Sequence, residues 1–204
     1  MPGHLTVESS YIFHKKNQPD IFFSPQAVLI LLHDVGSKDN LPSTDATEVN
    51  YMYFMRTDGK NKDFIENCRL LDMDLDRRVG KKIKRDKYKP YNQLDEIGEA
   101  IVVYEDNKAI GGGAIRRYDE ENIELKRVFV HAEYQGQGVG SELVSRLIEW
   151  AAELGYHRMI LETGELLAES CAVYKKLGFQ VIPNYPPYTD MPESLCMAKD
   201  LTGS

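Results

Sequence analysis

The chain has 204 residues, which suits one domain with a short appendage and a core that needs no disulfide or metal staple. Hydrophobic residues make up 42 % and charged residues 28 %, the balance of a soluble globular protein. The formal net charge is −7, and residues 91–204 carry nineteen Asp/Glu against ten Lys/Arg. That acidic body argues against nucleic acid as the main partner and is compatible with a cationic substrate.

Near the start the longest apolar block, Ala27 to Leu32, is far short of a membrane span and lacks the flanks of a signal peptide. Three cysteines, Cys68, Cys171 and Cys196, sit far apart, with neither a disulfide pattern nor metal-ligand spacing. A reducing, cytoplasmic location without membrane contact or bound metal is the simplest expectation.

Residues 1–46 read as an N-terminal appendage of unassigned role, with a strand at Leu5 to Phe13, a strand or short helix at Ile21 to Leu32, and a polar linker from Gly36. Residues 47–204 read as the working domain. Val49 to Met55 is β-rich. Phe64, Cys68, Leu71 and Leu75 recur at helical spacing and predict a helix over Lys62 to Asp76. A basic, solvated loop from Arg77 to Lys89 follows, then a helical turn or two within Tyr91 to Ile97. Three strands, Ala100–Tyr104, Ala109–Ile115 and Ile123–Val130, are joined by short polar turns, the signature of an antiparallel meander. Gly111-Gly112-Gly113 inside the second points to a bulge or a close backbone approach.

The character then changes. Val139, Leu143, Leu147, Trp150, Ala151 and Leu154 form one stripe, so Gly138 to Leu154 is a helix stopped by Gly155. Arg158 to Glu162 is a strand, Leu166 to Leu177 a helix, and Phe179–Ile182 and Leu195–Lys199 close the chain. A meander followed by strand–helix–strand predicts a mixed α/β fold. Its sheet is mostly antiparallel with flanking helices, and Ile123–Val130 runs parallel to Arg158–Glu162.

The densest signal is Gln135-Gly136-Gln137-Gly138-Val139-Gly140-Ser141, which opens the long helix. Glycines let the backbone approach a phosphate, and the unpaired N–H groups of a first helical turn attract it. A P-loop would need Gly-Lys-Ser/Thr. A dinucleotide site would need G-x-G-x-x-G; Gly136 to Ser141 gives G-x-G-x-x-S, and Glu162 ends the next strand where a ribose-binding acid would sit. A nicotinamide or flavin oxidoreductase is therefore a rival reading, weakened by the five residues between Val130 and Gly136 and by the meander upstream.

This loop, together with Tyr174-Lys175-Lys176-Leu177-Gly178-Phe179, resembles the GNAT superfamily of N-acetyltransferases, through its Gln/Arg-x-x-Gly-x-Gly/Ala and Tyr-x-x-x-Gly-Phe segments. The resemblance runs from about residue 47 to the C-terminus. It implies acetyl transfer from acetyl-coenzyme A to an amine by direct attack, with no metal. It assigns the coenzyme pyrophosphate to the amides of Gln135, Gly136, Gln137, Gly138, Val139, Gly140 and Ser141, and the pantetheine arm to the main chain of Val128, Phe129 and Val130. The N–H of Val128 would polarise the thioester carbonyl.

Tyr174 is the candidate general acid, although packing on a helix would also account for it. Glu124 is the candidate base, since strand alternation puts it on one face with Lys126, Val128 and Val130; an ion pair with Lys126 or Arg127 is the competing role. Glu162 is the rival base. The proline-rich stretch Pro183 to Pro192 offers Tyr185, Tyr188 and Asp190 as a lip for an ammonium group, or is only a stiff connection. The acceptor is expected to be a small-molecule amine, with a second copy of the chain the one macromolecular partner left open. A non-catalytic coenzyme A sensor is a further alternative.

Overall fold

The computed structural model describes residues 52–201 and, beyond them, the backbone of Asp20–Phe22. The expected strand at Leu5 to Phe13, the linker from Gly36 and most of Ile21 to Leu32 lie outside the described residues. Asp20–Phe22 is a short strand, β1, paired antiparallel with β2 (Met52–Thr57), so part of the stretch read as an appendage adds a strand to the domain's sheet.

The described strands continue with β3 (Glu99–Glu105), β4 (Lys108–Arg117), β5 (Asn122–Val130), β6 (Arg158–Gly164), β7 (Gln180–Ile182) and β8 (Ser194–Asp200). They form one eight-stranded sheet in the order β1-β2-β3-β4-β5-β6-β8-β7. Among the described residues only β5 and β6 pair in parallel. The repeated βαβ array that a dinucleotide fold requires is not formed among the described residues.

Helices cover both faces. Helix α1 (Lys62–Val79) is capped by Asn61, whose Oδ1 accepts from the N–H groups of Asp63 and Phe64 at 2.9 and 3.0 Å. It buries Phe64 and Cys68 against Ala100, Val102, Tyr104 and Ala114. Helix α2 (Val139–Glu153) buries Leu143, Leu147 and Ala151 on the opposite face, against Ile101, Val103 and Ile115. Because β3 faces apolar layers on both sides, its run Ala100 to Tyr104 is apolar at every position. Helix α3 (Ala168–Lys176) ends at Leu177, and Tyr174 and Phe179 join the α2-side core.

Three expectations are corrected. Helix α1 runs three residues beyond Asp76 before Gly80, and Arg85–Tyr91, with Arg85 to Lys89 expected as loop, is a 3-10 helix. Ion pairs explain both: Arg85 donates to the Asp72 carbonyl and to the carboxylates of Asp72 and Asp76, tying the connection back onto α1. The helical turns expected within Tyr91 to Ile97 are reduced to the end of that 3-10 helix.

The glycines of β4 serve close approach. A Cβ on Gly111 would stand 2.7 Å from the Phe129 carbonyl oxygen. The bulge lies on the partner strand. Gly112 pairs with Phe129 and Ala114 with Lys126, so Arg127 and Val128 together oppose Gly113. Arg127 holds a left-handed φ of 57°, fixed by bonds from its guanidinium to Asp72 and to the Cys68 carbonyl.

Candidate active site

The parallel ladder between β5 and β6 runs from Asn122–Arg158 to Leu125–Leu161 and stops there. Beyond it the strands part. Lys126 to Val130 of β5 and Glu162 to Gly164 of β6 then line a cavity of about 540 Å³. The loop before α2, the inner face of α3 and the C-terminal half of α1 close its other sides.

One end is built from backbone. Gly136 and Gly138 hold φ of 75° and 88°, which glycine adopts without penalty, and the turn delivers the chain into α2 with no side-chain cap on its first N–H groups. Gln135, Gly136, Gly138, Gly140 and Ser141 line the cavity beside Val128, Phe129 and Val130. The other two expected loop residues are not among the lining. Val139 is buried in the core, and Gln137 turns away to donate to the Glu133 carbonyl at 2.7 Å. The side chain of Gln135 donates to the Val130 carbonyl at 2.8 Å and so ties the loop to the strand.

The middle of the cavity holds Tyr174 and Glu162. Tyr174 is 9 % exposed with its ring edge-on to Phe179, and burial raises its phenol above the ordinary range, which keeps it protonated. Glu162 accepts from the Ser194 hydroxyl at 2.7 Å. Burial also raises this carboxyl; Ser194 and the Lys126 ammonium oppose the shift.

Glu124, expected on the reacting face, lies elsewhere. It is 1 % exposed, does not line the cavity, and is enclosed by partners. Arg116 Nη2 is 2.9 Å from Oε2, while the hydroxyls of Tyr185 and Tyr188 donate to Oε1 at 3.0 and 3.2 Å. Lys126 Nζ is 3.5 Å from the same oxygen and donates to Tyr188 at 2.9 Å. Tyr185 and Tyr188 are thus turned inward as the wall of an ion-pair site, and burial followed by the Glu124 charge raises both phenols. Asp190 is exposed, and none of the three is among the cavity residues. The stretch Pro183 to Pro192 does not border this cavity.

Sequence reading missed the other end of the cavity. Leu71, Leu75, Val79 and Ile83 form an apolar wall, and Tyr88, Asn92 and Glu193 add polar groups. Helical spacing had already marked Leu71 and Leu75 as apolar, but nothing local distinguishes a residue facing a cavity from one facing the core. Lys126 also lines the cavity, and burial lowers its ammonium against the pull of Glu124. Among the described residues no cluster of His, Cys, Asp and Glu could hold a metal, and no helix is long and apolar enough to cross a membrane.

Residues 67–179 match the profile of the acetyltransferase (GNAT) family. The uncharacterized N-acetyltransferase YsnE of Bacillus subtilis is 31 % identical over 100 residues, 48 % of this chain and 66 % of that protein. The L-methionine sulfoximine/L-methionine sulfone acetyltransferase of Salmonella typhimurium is 32 % identical over 101 residues, 47 % of this chain and 59 % of that protein. In both, the matched stretch spans less than two thirds of the relative. The fold is similar to that of the putative acetyltransferase yncA from Salmonella typhimurium, solved with its cofactor acetyl-CoA. The TM-score is 0.54 at 21 % identity, covering 75 % of this chain and 95 % of that one.

Proposed function

The chain belongs to the acetyltransferase (GNAT) family, and from that premise we propose that it transfers an acetyl group from acetyl-coenzyme A to a small-molecule amine, by direct attack and without an acyl-enzyme. The observation that carries this reading is one cavity lined by uncapped first-turn amides, an unpaired strand edge, a buried phenol and a half-buried carboxyl.

The residues present fit the coenzyme. The amides opening α2 and the glycine turn before them suit its pyrophosphate. The β5 edge, released from β6 after Leu125, can pair with the pantetheine arm as an added strand. Val128 N–H is the donor assigned to the thioester carbonyl. Bound there, acetyl-coenzyme A supplies the acetyl thioester.

Glu162 is the base in this reading, replacing the expected Glu124. It lines the cavity, burial raises its pKa, and it accepts a hydrogen bond from a neutral hydroxyl. It takes the acceptor's proton so that a neutral amine attacks. Tyr174, kept protonated by burial, gives its proton to the departing sulfur and regains one from the nitrogen as the tetrahedral intermediate collapses to the amide. Glu124 has a positioning role, holding Lys126, Tyr185 and Tyr188 beside the cavity.

The acceptor end supports a small amine with an apolar body, placed against Leu71, Leu75, Val79 and Ile83. The Salmonella relative named for methionine derivatives is in keeping with that. The test is a free-thiol assay with acetyl-coenzyme A across amino acids, arylalkylamines, polyamines, aminoglycosides and peptides. Turnover confined to peptides or proteins refutes the small acceptor. Tighter calorimetric binding of NAD(P) than of acetyl-coenzyme A refutes the cofactor.

A further inference from the structure

Glu162 accepts a proton within the cavity, and the next turnover requires that proton to leave. Its carboxylate is the inner end of a continuous chain of side chains. The Ser194 hydroxyl lies 2.7 Å from Glu162 Oε1, the Tyr88 hydroxyl lies 2.9 Å from Ser194 Oγ, and the same Tyr88 hydroxyl lies 3.3 Å from Glu193 Oε1. Glu193 is the outer end, with its side chain 24 % exposed and paired with the exposed Lys87. We propose that Glu162, Ser194, Tyr88 and Glu193 form a side-chain proton relay that carries the acceptor's proton from the reaction cavity to the surface. This rests on Glu162 being the base.

The chain comes together from three separate parts of the sequence, each fixed in place. Glu162 is held in β6, paired there with Cys196 of β8. Ser194 starts β8, and its carbonyl accepts from the Asn184 side chain at 3.2 Å. Tyr88 belongs to the 3-10 helix, and its ring stacks on that of Tyr188 at 6.4 Å. Burial pushes the Tyr88 phenol up to about 12, so it stays protonated and passes a proton on only as it receives one.

The proton count balances. The acceptor enters as an ammonium; one N–H bond breaks, its electron pair stays on nitrogen, and the proton bonds to Glu162, while the second proton, lost from nitrogen after attack, restores the Tyr174 phenol that protonated the sulfur. The protonated carboxyl donates to Ser194 Oγ, the Ser194 proton passes to the Tyr88 oxygen, and the Tyr88 proton passes to Glu193. Each hydroxyl ends with one proton, and Glu193 carries the net gain. Hydroxyl hydrogens rotate freely enough to reset the chain. The Lys87 ammonium and the backbone hold the Glu193 carboxyl below its ordinary value, so it releases the proton to water readily.

Other ionisable groups face Glu162 without offering this exit. Lys126 and Glu124 approach from β5, Cys196 from β8, Tyr174 from α3 and Tyr188 from the proline-rich connection. Tyr188 leads only to Glu124 and Lys126, which are themselves buried.

The test uses the full chain, acetyl-coenzyme A and whichever amine turns over in the acceptor screen. It compares Ser194→Ala, Tyr88→Phe, their double variant and Glu162→Gln, with melting curves to verify folding. Each single hydroxyl deletion should lower kcat about tenfold with KM for acetyl-coenzyme A unchanged, a share of what positioned proton transfer contributes. The double variant should be no slower than the slower single, because a broken chain cannot be broken twice. Raising the concentration of imidazole buffer should restore rate in the variants and not in the wild type, a response that lost packing does not produce. Ser194→Thr, which keeps the hydroxyl, should retain most of the rate. Wild-type kcat in both single variants, or losses that multiply in the double, overturns the relay while a loss in Glu162→Gln leaves the base in place. A wild-type rate in Glu162→Gln overturns the base, and absence of turnover with every amine overturns the acyl-transfer reading; the relay falls with either.

Discussion

Glu124 on β5 and Glu162 on β6 lie on either side of the point where the two strands part, and their surroundings differ in kind. Glu124 is met by a guanidinium, an ammonium and two phenols, so its oxygens are engaged by the protein itself. Glu162 has a serine hydroxyl and a cavity. A buried carboxylate given this many donors holds a fold together, whereas one left short of donors becomes a proton acceptor. The partner set separates the two acids, and Glu162 is also the less buried of them.

The sharpest way to break this contrast is to remove one carboxylate at a time. Glu162→Gln should lower kcat by roughly 10²–10⁴ with the fold intact, the usual contribution of a positioned base. Chemistry-limited rates close to wild type would mean the two acids have been assigned the wrong way round. Glu124→Leu should instead cost stability, about 3–5 kcal/mol, because it strands the buried Lys126 and leaves Arg116 only its exposed partner Glu96. A fall in Tm of roughly 10 °C would register this, and an unchanged Tm would show that the cluster contributes little.

Two smaller effects sharpen the boundary of the reacting region. Tyr174→Phe should slow chemistry about 10- to 100-fold while calorimetric acetyl-coenzyme A binding stays near wild type, since it removes one proton and no contact with the coenzyme's phosphates. A wild-type rate would return Tyr174 to a packing role. Asp190→Asn should leave KM for the acceptor unchanged, because Asp190 is exposed and away from the cavity. A raised KM would bring the proline-rich connection back to the acceptor.

The same contrast explains which parts were legible in the sequence. The glycine-loop end of the cavity is made by contiguous backbone: a strand edge, a turn needing glycine at Gly136 and Gly138, and a helix start. Each leaves a local pattern, and the meander and the helices α2 and α3 were readable for the same reason. The opposite end is made by side chains distant in sequence, such as Leu71, Tyr88 and Glu193, and no local pattern links them. Alternation along β5 correctly put Glu124 and Lys126 on one face. It could not show that Tyr185 and Tyr188, about sixty residues later, fold over Glu124. Nor could it show that the Arg127 bulge breaks the alternation before Val128. Residues 1–46 gave weak patterns, and the described part of them is a three-residue strand.

The division of labour between the two acids is tested most directly by the pH dependence of kcat/KM. Glu162 must be ionised to accept a proton, and burial raises its pKa, so activity should fall as pH drops through a midpoint above the ordinary carboxylate range. Tyr174, raised by burial, should impose no alkaline fall below about pH 10. In Glu162→Gln the acidic limb should vanish along with most of the rate, and in Glu124→Gln it should persist. An acidic limb that survives in Glu162→Gln and disappears in Glu124→Gln would contradict the account.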